Sequence, residues 1–207
     1  MSTSASEITS LQALEALYGQ AGGASLTKEI DYISDAYRAL IEASPFVLIA
    51  TVGPGGTDCS PRGDPAGFVR VLDRKRVLIP DRRGNNRLDS LKNLIGDPRI
   101  SLLFLIPGVN ETLRINGRAR ILDDAALAQS FAMDGKAPTT VIEVTAERVY
   151  FQCAKALVRS RLWAADAQVP RASVPSNGQI LAEISAGQVD AAEYDRAYPE
   201  RLRSTLY

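Results

Sequence analysis

The stretch that decides the fold is residues 46–56, FVLIATVGPGG, an apolar run that ends in a turn rich in glycine and proline. A short apolar run bounded by turn residues predicts a buried strand followed by a tight turn. Ser44-Pro45 stands directly before it and ends any preceding helix, because the residue before a proline is disfavoured in the α region. The chain is therefore expected to change from helix to strand at this point.

Downstream, the same reasoning predicts five further strands, at residues 68–72, 76–79, 100–106, 112–122 and 140–151. The clearest is 113–122, where Leu113 and Ile115 alternate with Arg114 and Asn116, which predicts one apolar and one cationic face. Residues 7–43 are predicted to be helical with a break at Gly22-Gly23. Shorter helices are predicted at 86–94, at 123–133 with Asp123 or Asp124 as N-cap, and in the tail at 178–186 and 190–204.

Six short strands with helices at the margins predict a mainly β protein built as a small barrel, rather than a parallel doubly wound sheet. The predicted organisation has three parts. They are an N-terminal helical segment at 1–43, the barrel core at 44–165, and a C-terminal helical tail at 166–207, where Ala, Pro, Ser and Gln become frequent.

The composition excludes several kinds of chemistry. The 207 residues contain no histidine, which rules out Ser-His-Asp catalysis and histidine-ligated zinc or haem. The two cysteines are too few for a Cys₄ metal site or an iron–sulfur cluster within one chain. No metal site is predicted, and redox chemistry would have to come from an organic cofactor.

Charge and hydropathy restrict the kinds of partner that this protein is expected to have. The 24 Lys and Arg residues balance 24 Asp and Glu residues, which argues against a dedicated nucleic-acid partner. No apolar run approaches the roughly 18 residues that span a bilayer, and the first residues lack the pattern of a signal peptide. We therefore expect a cytoplasmic protein without a membrane partner.

Two polar clusters follow predicted strands. Residues 58–64, DCSPRGD, are expected to be a polar surface loop unless function requires otherwise. Residues 80–87, PDRRGNNR, lie between a strand end and a helix start. Such a loop can offer an anion backbone N–H groups, a helix dipole and guanidinium groups together. Phosphate binding and a simple solvated turn are both open for this loop.

Two later clusters are weaker. Residues 107–117, PGVNETLRING, fit a hairpin turn with a charged outer face. In residues 151–163, FQCAKALVRSRLW, a strand gives way to a helix with Lys155, Arg159 and Trp163 at four-residue intervals on one face. That face could be solvated, or it could contact an aromatic anion.

Taken in order, these motifs resemble the pyridoxamine 5′-phosphate oxidase-like, FMN-binding split-barrel proteins over roughly residues 30–165. The resemblance is carried by SPRGD at 60–64, PDR at 80–82, GNNR at 84–87, ETLR at 111–114 and CAK at 153–155. It implies a six-stranded split β-barrel, a homodimer, and two FMN molecules at the subunit interface.

The resemblance also implies roles for single residues. Ser60, Arg62 and Asp64 would lie beside the isoalloxazine and ribityl chain. The phosphate would be held by a loop that contains Arg82, Asn85, Asn86 and Arg87, and Pro80 and Asp81 directly before it would also belong to the cofactor site. Glu111, Thr112 and Arg114 would approach from the second subunit, and a third set would close over the flavin edge, namely Lys155, Arg159 and Trp163.

This sequence departs from the family's namesake enzyme, because it lacks the C-terminal Arg-x-His element that binds the substrate there. The expected function is therefore an FMN-dependent oxidoreductase acting on an unidentified small molecule, with no catalytic residue assigned. One alternative is a binding or sensing protein that holds a flavin, a deazaflavin or haem without turnover. Another is a structural partner whose arginines are simply solvated.

Overall fold

The architecture is a single antiparallel sheet with helices at its margins, seen in a computed structural model that describes residues 6–207. The seven strands are β1 Phe46–Gly53, β2 Gly56–Gly63, β3 Arg70–Val71, β4 Arg76–Asp81, β5 Arg99–Leu105, β6 Thr112–Leu122 and β7 Thr140–Gln152. Their hydrogen-bonded order in the sheet is β2-β1-β5-β6-β7-β4-β3.

The predicted mainly β class is confirmed, but the predicted number of six strands is wrong. The additional strand is β2, which forms a hairpin with β1 in the register Phe46↔Gly63 to Gly53↔Gly56. It contains residues 58–63, so the interpretation of that cluster as a loop is also wrong. Of the strand predicted at 68–72, only Arg70–Val71 forms a ladder.

Eight helices surround the sheet in the described part of the chain. They are α1 Leu11–Tyr18, α2 Gly23–Thr27, α3 Asp35–Ala43, α4 Asp89–Gly96, α5 Ala125–Ser130, α6 Lys155–Ser160, α7 Asn177–Ile184 and α8 Ala191–Ser204. None of the helices found in residues 6–207 combines the length and the apolar character needed to cross a membrane.

The helix boundaries correct two predictions and confirm a third. The N-terminal region forms three helices instead of two, and Ile30 lies outside them in an extended bridge to Val149. Asp124 is the N-cap of α5, because its side chain accepts a hydrogen bond from the Leu127 amide. Helix α6 ends at Ser160, so Trp163 does not share a helical face with Lys155 and Arg159.

The core lies between α3 and the inner face of the sheet. Tyr37 and Ile41 of α3 belong to the same buried cluster as Val47, Phe104 and Ile115 of the strands. In β6 the predicted alternation is confirmed up to Arg120, since Leu113, Ile115 and Ala119 are buried and Arg118 and Arg120 are exposed. Burial of these side chains is the main driving force for the fold.

Strands β6 and β7 lose their regular register at Asn116/Gly117, where β6 is irregular. A Cβ atom built on Gly117 would lie 2.0 Å from the carbonyl oxygen of Thr145. The two backbones therefore approach each other more closely than a side chain allows, and glycine is required there.

Replacing Gly117 by alanine should lower the free energy of unfolding by about 1–3 kcal/mol, because the strands must separate to admit the methyl group. Denaturant titration measures this change. The matched control is Gly55→Ala, since a Cβ on Gly55 meets no atom within 4 Å, and its effect should stay within about 0.5 kcal/mol. Equal effects of the two substitutions would contradict the close approach.

Candidate functional site

The site is built on β2, an edge strand whose polar residues alternate in exposure. Ser60 and Arg62 are partly buried, whereas Cys59, Pro61 and Gly63 between and beside them are exposed. Successive side chains of a strand point to opposite faces, so Ser60, Arg62 and the following Asp64 face the same side. Pro61 is tolerated because an edge strand has unpaired backbone positions.

Two ion pairs join β2 to the end of β4, although these strands are first and sixth in the sheet order. Arg62 Nη2 donates to Asp81 Oδ1 at 3.2 Å, and Arg82 Nε donates to Asp64 Oδ2 at 2.7 Å. Each segment thus supplies one arginine and one aspartate. The sheet curls so that side chains from β2 and from the end of β4 meet, but no backbone hydrogen bonds join these two strands.

Burial separates these pairs from ordinary surface ion pairs. The exposed fraction of the side chain is 12% for Asp81 and 4% for Asp64. Burial raises the pKa of the Asp81 carboxyl above its ordinary value of 3.8, and the charge and hydrogen bond of Arg62 act in the opposite direction. Removing one partner would leave a charge without compensation in a dry environment.

Arg82 is held from several sides. Besides the bond to Asp64, its Nη1 donates to the carbonyl oxygen of Phe131 at 2.8 Å. Its guanidinium carbon lies 5.4 Å from the ring centroid of Tyr207, within the range of a cation–π contact. These contacts indicate a role for Arg82 in holding the wall of the site together.

The loop that follows Arg82 leads into α4 with an unusual backbone. Asn86 and Leu88 both have a positive φ of 59°, and Leu88 occupies the N-cap position of α4. No side chain in residues 6–207 caps this helix start. Its first N–H groups are therefore available to an anion, and the helix dipole favours negative charge there.

Polar contacts fix the start of α4 against β2. Ser90 Oγ donates to Asp58 Oδ2 at 2.5 Å, and Ser60 Oγ donates to the same carboxylate at 3.0 Å. Arg87 Nε donates to Asp89 Oδ2 at 2.8 Å, but its side chain is 73% exposed. Arg87 can therefore turn to another anion at low cost, because an exposed ion pair contributes little.

These elements enclose a cleft of about 860 Å³. Its walls include the end of β2, the segment from Pro80 to Leu91, the start of β7 and residues 206–207. Nine of the predicted site residues lie in its lining, namely Ser60, Arg62, Asp64, Pro80, Asp81, Arg82, Asn85, Asn86 and Arg87.

The other six predicted residues lie outside the cleft, at the start of β6 and in or after α6, and are called the second patch. Arg114 donates to the hydroxyl of Tyr150 at 3.2 Å, and the indole of Trp163 donates to the carbonyl of Val109 at 2.8 Å. Within this patch Thr112 is buried, whereas Glu111, Lys155 and Arg159 are exposed. The structure thus brings the fifteen residues together as two groups.

Three of the lining residues that were not predicted from the sequence stand out because of where they come from or how they are bonded. Thr140, at the start of β7 opposite Asp81, has a buried hydroxyl oxygen that finds no hydrogen-bond partner among the described residues. Leu206 and Tyr207 arrive from the tail. No sequence pattern marks them, because they are brought in by contacts between distant parts of the chain.

Comparison with known proteins gives the family. The sequence profile described as "Pyridoxamine 5'-phosphate oxidase" matches residues 33–153, which is more than half of the chain. This protein belongs to the pyridoxamine 5′-phosphate oxidase family. The match covers every strand of the sheet but not α1, α2, α6, α7 or α8. No curated protein matches the chain.

Solved structures of other proteins are similar to part of this chain at low identity. HupZ from Group A Streptococcus is 18% identical, with a TM-score of 0.47 over 57% of this chain and 93% of its own. A protein of Clostridium acetobutylicum related to general stress protein 26 is 20% identical, with a TM-score of 0.41 over 55% and 83%. A NimC/NimA family protein of the same organism is 15% identical, with a TM-score of 0.39 over 58% and 95%.

The cleft fits a flavin mononucleotide on chemical grounds. A phosphate requires N–H and guanidinium donors, which the start of α4 and Arg87 provide. The polar edge of a ring requires hydrogen-bonding groups along the wall, and Thr140 has an unpaired hydroxyl there. A cleft of 860 Å³ lies within the usual range for cofactor sites.

The buried carboxyl of Asp81 makes stability depend on pH. An acid whose pKa is higher in the folded than in the unfolded protein makes the folded state less stable as pH rises between the two values. Starting near pH 3.8, wild-type protein should therefore lose stability relative to Asp81→Asn until the raised pKa is passed. Denaturant titrations of both proteins across this range measure the difference. A constant difference, or one of opposite sign, would contradict the effect of burial.

Proposed function

We propose that this protein binds FMN in the cleft and uses it in the oxidation or reduction of a small molecule. The observation that carries the proposal is the uncapped start of α4, which lies beside an exposed arginine at the wall of a cleft large enough for a cofactor. Bound FMN supplies the hydride- and electron-accepting group that the side chains of a histidine-free chain lack.

The proposed binding mode follows from the charges already paired. Asp81 and Asp64 neutralise Arg62 and Arg82 inside the wall. The phosphate group would accordingly bind the N–H groups at the start of α4 and the guanidinium groups of Arg83 and Arg87. Asn85 and Asn86 supply side-chain amides in the same loop.

The second patch supports the proposal that the active form is a homodimer with FMN at its interface. Glu111, Thr112 and Arg114 lie away from the cleft of their own chain, so a second copy is needed to bring them to a bound flavin. Exposed apolar side chains lie near this patch, among them Phe151, Val158 and Leu162. Apolar surface of this kind is favourable to bury against a partner.

A second candidate is a protein that binds flavin, deazaflavin or haem without turnover. The aspartates that line the cleft, Asp64, Asp81 and Asp89, are each paired with an arginine. This pairing makes their carboxylates less available for proton transfer, which favours the second candidate. Photoreduction of the flavin-loaded protein followed by addition of electron acceptors separates the two. An enzyme should show acceptor-accelerated reoxidation, and a pure binder should not.

The phosphate role of the loop is tested by comparing FMN with riboflavin, which has the same ring but no phosphate. Arg87→Ala should weaken FMN binding about ten- to a hundredfold, the loss expected for one charge-assisted hydrogen bond, and leave riboflavin binding unchanged. Fluorescence titration measures both dissociation constants.

The matched control is Arg99→Ala. Arg99 is another exposed arginine paired with the aspartate two residues away, but it lies outside the cleft, so both affinities should remain at the wild-type level. Equal losses for FMN and riboflavin in Arg87→Ala would reject the phosphate role. Failure of wild-type protein to bind either flavin would reject the proposed function.

A further inference from the structure

The C-terminal tail forms a helical hairpin that ends at the cleft. Helices α7 and α8 pack so closely at Gly178 that a Cβ atom there would lie 2.3 Å from the carbonyl oxygen of Ala191. The Asp195 carboxylate also accepts a hydrogen bond from the Gly178 amide at 2.9 Å. This tight hairpin gives α8 a defined direction, and residues 206–207 beyond its end line the cleft.

Tyr207 contacts two separate parts of the chain, one of which belongs to the cleft wall. Its backbone carbonyl accepts a hydrogen bond from Lys136 Nζ at 2.9 Å. Its ring lies against the guanidinium group of Arg82. Partial burial raises the pKa of its phenol above the ordinary value of 10, and the Asp64 carboxylate acts in the same direction.

The cleft has two chemically different ends along β2. Ser60 is joined through Asp58 to the start of α4, whereas Asp64 is joined to Arg82, whose guanidinium group lies over the ring of Tyr207. At about 3.3 Å per residue, Ser60 and Asp64 are roughly 13 Å apart. A ligand in the cleft therefore meets uncapped N–H groups at one end and an aromatic ring at the other.

Charge decides which part of a ligand lies at each end. At the Tyr207 end, Arg82 already donates to Asp64 and to the Phe131 carbonyl, and the carboxylate of Asp64 would repel a phosphate. Carboxylates also lie at the α4 end, but Asp58 accepts bonds from two serine hydroxyls and Asp89 is paired with Arg87. The first N–H groups of α4 have no side-chain cap there. The phosphate is thus favoured near α4, and a flat, uncharged ring is favoured beside Tyr207.

We propose that Tyr207 is a ligand-contacting residue, and that the segment after α8 gives the cleft an aromatic wall for the planar heteroaromatic ring of a bound phosphate ester. This inference rests on the proposed function, because it assigns the ring end of the same cleft. It also gives the tail a role in the site, although the tail lies outside the part of the chain that matches the family.

The test uses FMN and riboflavin with three variants. Tyr207→Ala removes the aromatic wall, Tyr207→Phe keeps the ring, and Tyr18→Ala removes an 81% exposed tyrosine of α1 as a control. Tyr207→Ala should weaken FMN and riboflavin binding by the same factor, roughly tenfold, because both ligands carry the same ring. Tyr207→Phe and Tyr18→Ala should stay within about twofold of wild type.

The pattern of losses separates this role from others. A loss for FMN alone would show that Tyr207 acts through Arg82 on the phosphate loop. Unchanged affinities for both ligands would show that Tyr207 does not touch the ligand. Either result overturns the inference and leaves the proposed function standing. If wild-type protein binds neither flavin, the proposed function and this inference fail together. Thermal unfolding of each variant checks that the body of the protein stays folded.

Discussion

The reciprocal pairing of Arg62 with Asp81 and Arg82 with Asp64 is the interaction on which the site depends. It joins two strands that share no backbone ladder, so it determines how far the sheet curls and how wide the cleft stays. The partners are partly or fully shielded from water, which makes the loss of any one of them costly. The same pairing also removes two arginines from the set of free cations.

Because of these ion pairs, the arginines of the cleft differ in how available they are to a ligand. Arg62 and Arg82 are paired with carboxylates inside the wall, whereas Arg87 remains exposed in the loop before α4. Together with the uncapped helix start, this leaves one end of the cleft suited to an anion. The other end receives Tyr207 and suits an uncharged ring. The asymmetry follows from the placement of a few aspartates.

The sequence predicted the parts of this protein that depend on local pattern. Apolar runs and the alternation in β6 predicted strands correctly, although residues 68–72 form a ladder only at Arg70–Val71. The cluster at 80–87 lies at the predicted junction of a strand and a helix, but Pro80 and Asp81 still belong to β4 and α4 begins at Asp89. Its phosphate role stays a prediction. Strand β2 was missed by the residue pattern, because its inner face is polar and lines a cleft instead of the core. The contacts that hold Arg82 in the wall were also missed. Its partners Asp64, Phe131 and Tyr207 are distant in sequence and become neighbours only on folding.

The most direct test of these different positions of phosphate and ring in the cleft is a crystal structure of the protein with FMN bound. The account predicts that the phosphate lies within hydrogen-bonding distance of the N–H groups at the start of α4 and of Arg87. The ion pairs of Arg62 and Arg82 should remain intact, and the ring should face Tyr207. A phosphate bound to Arg82 after displacement of Asp64 would contradict the account.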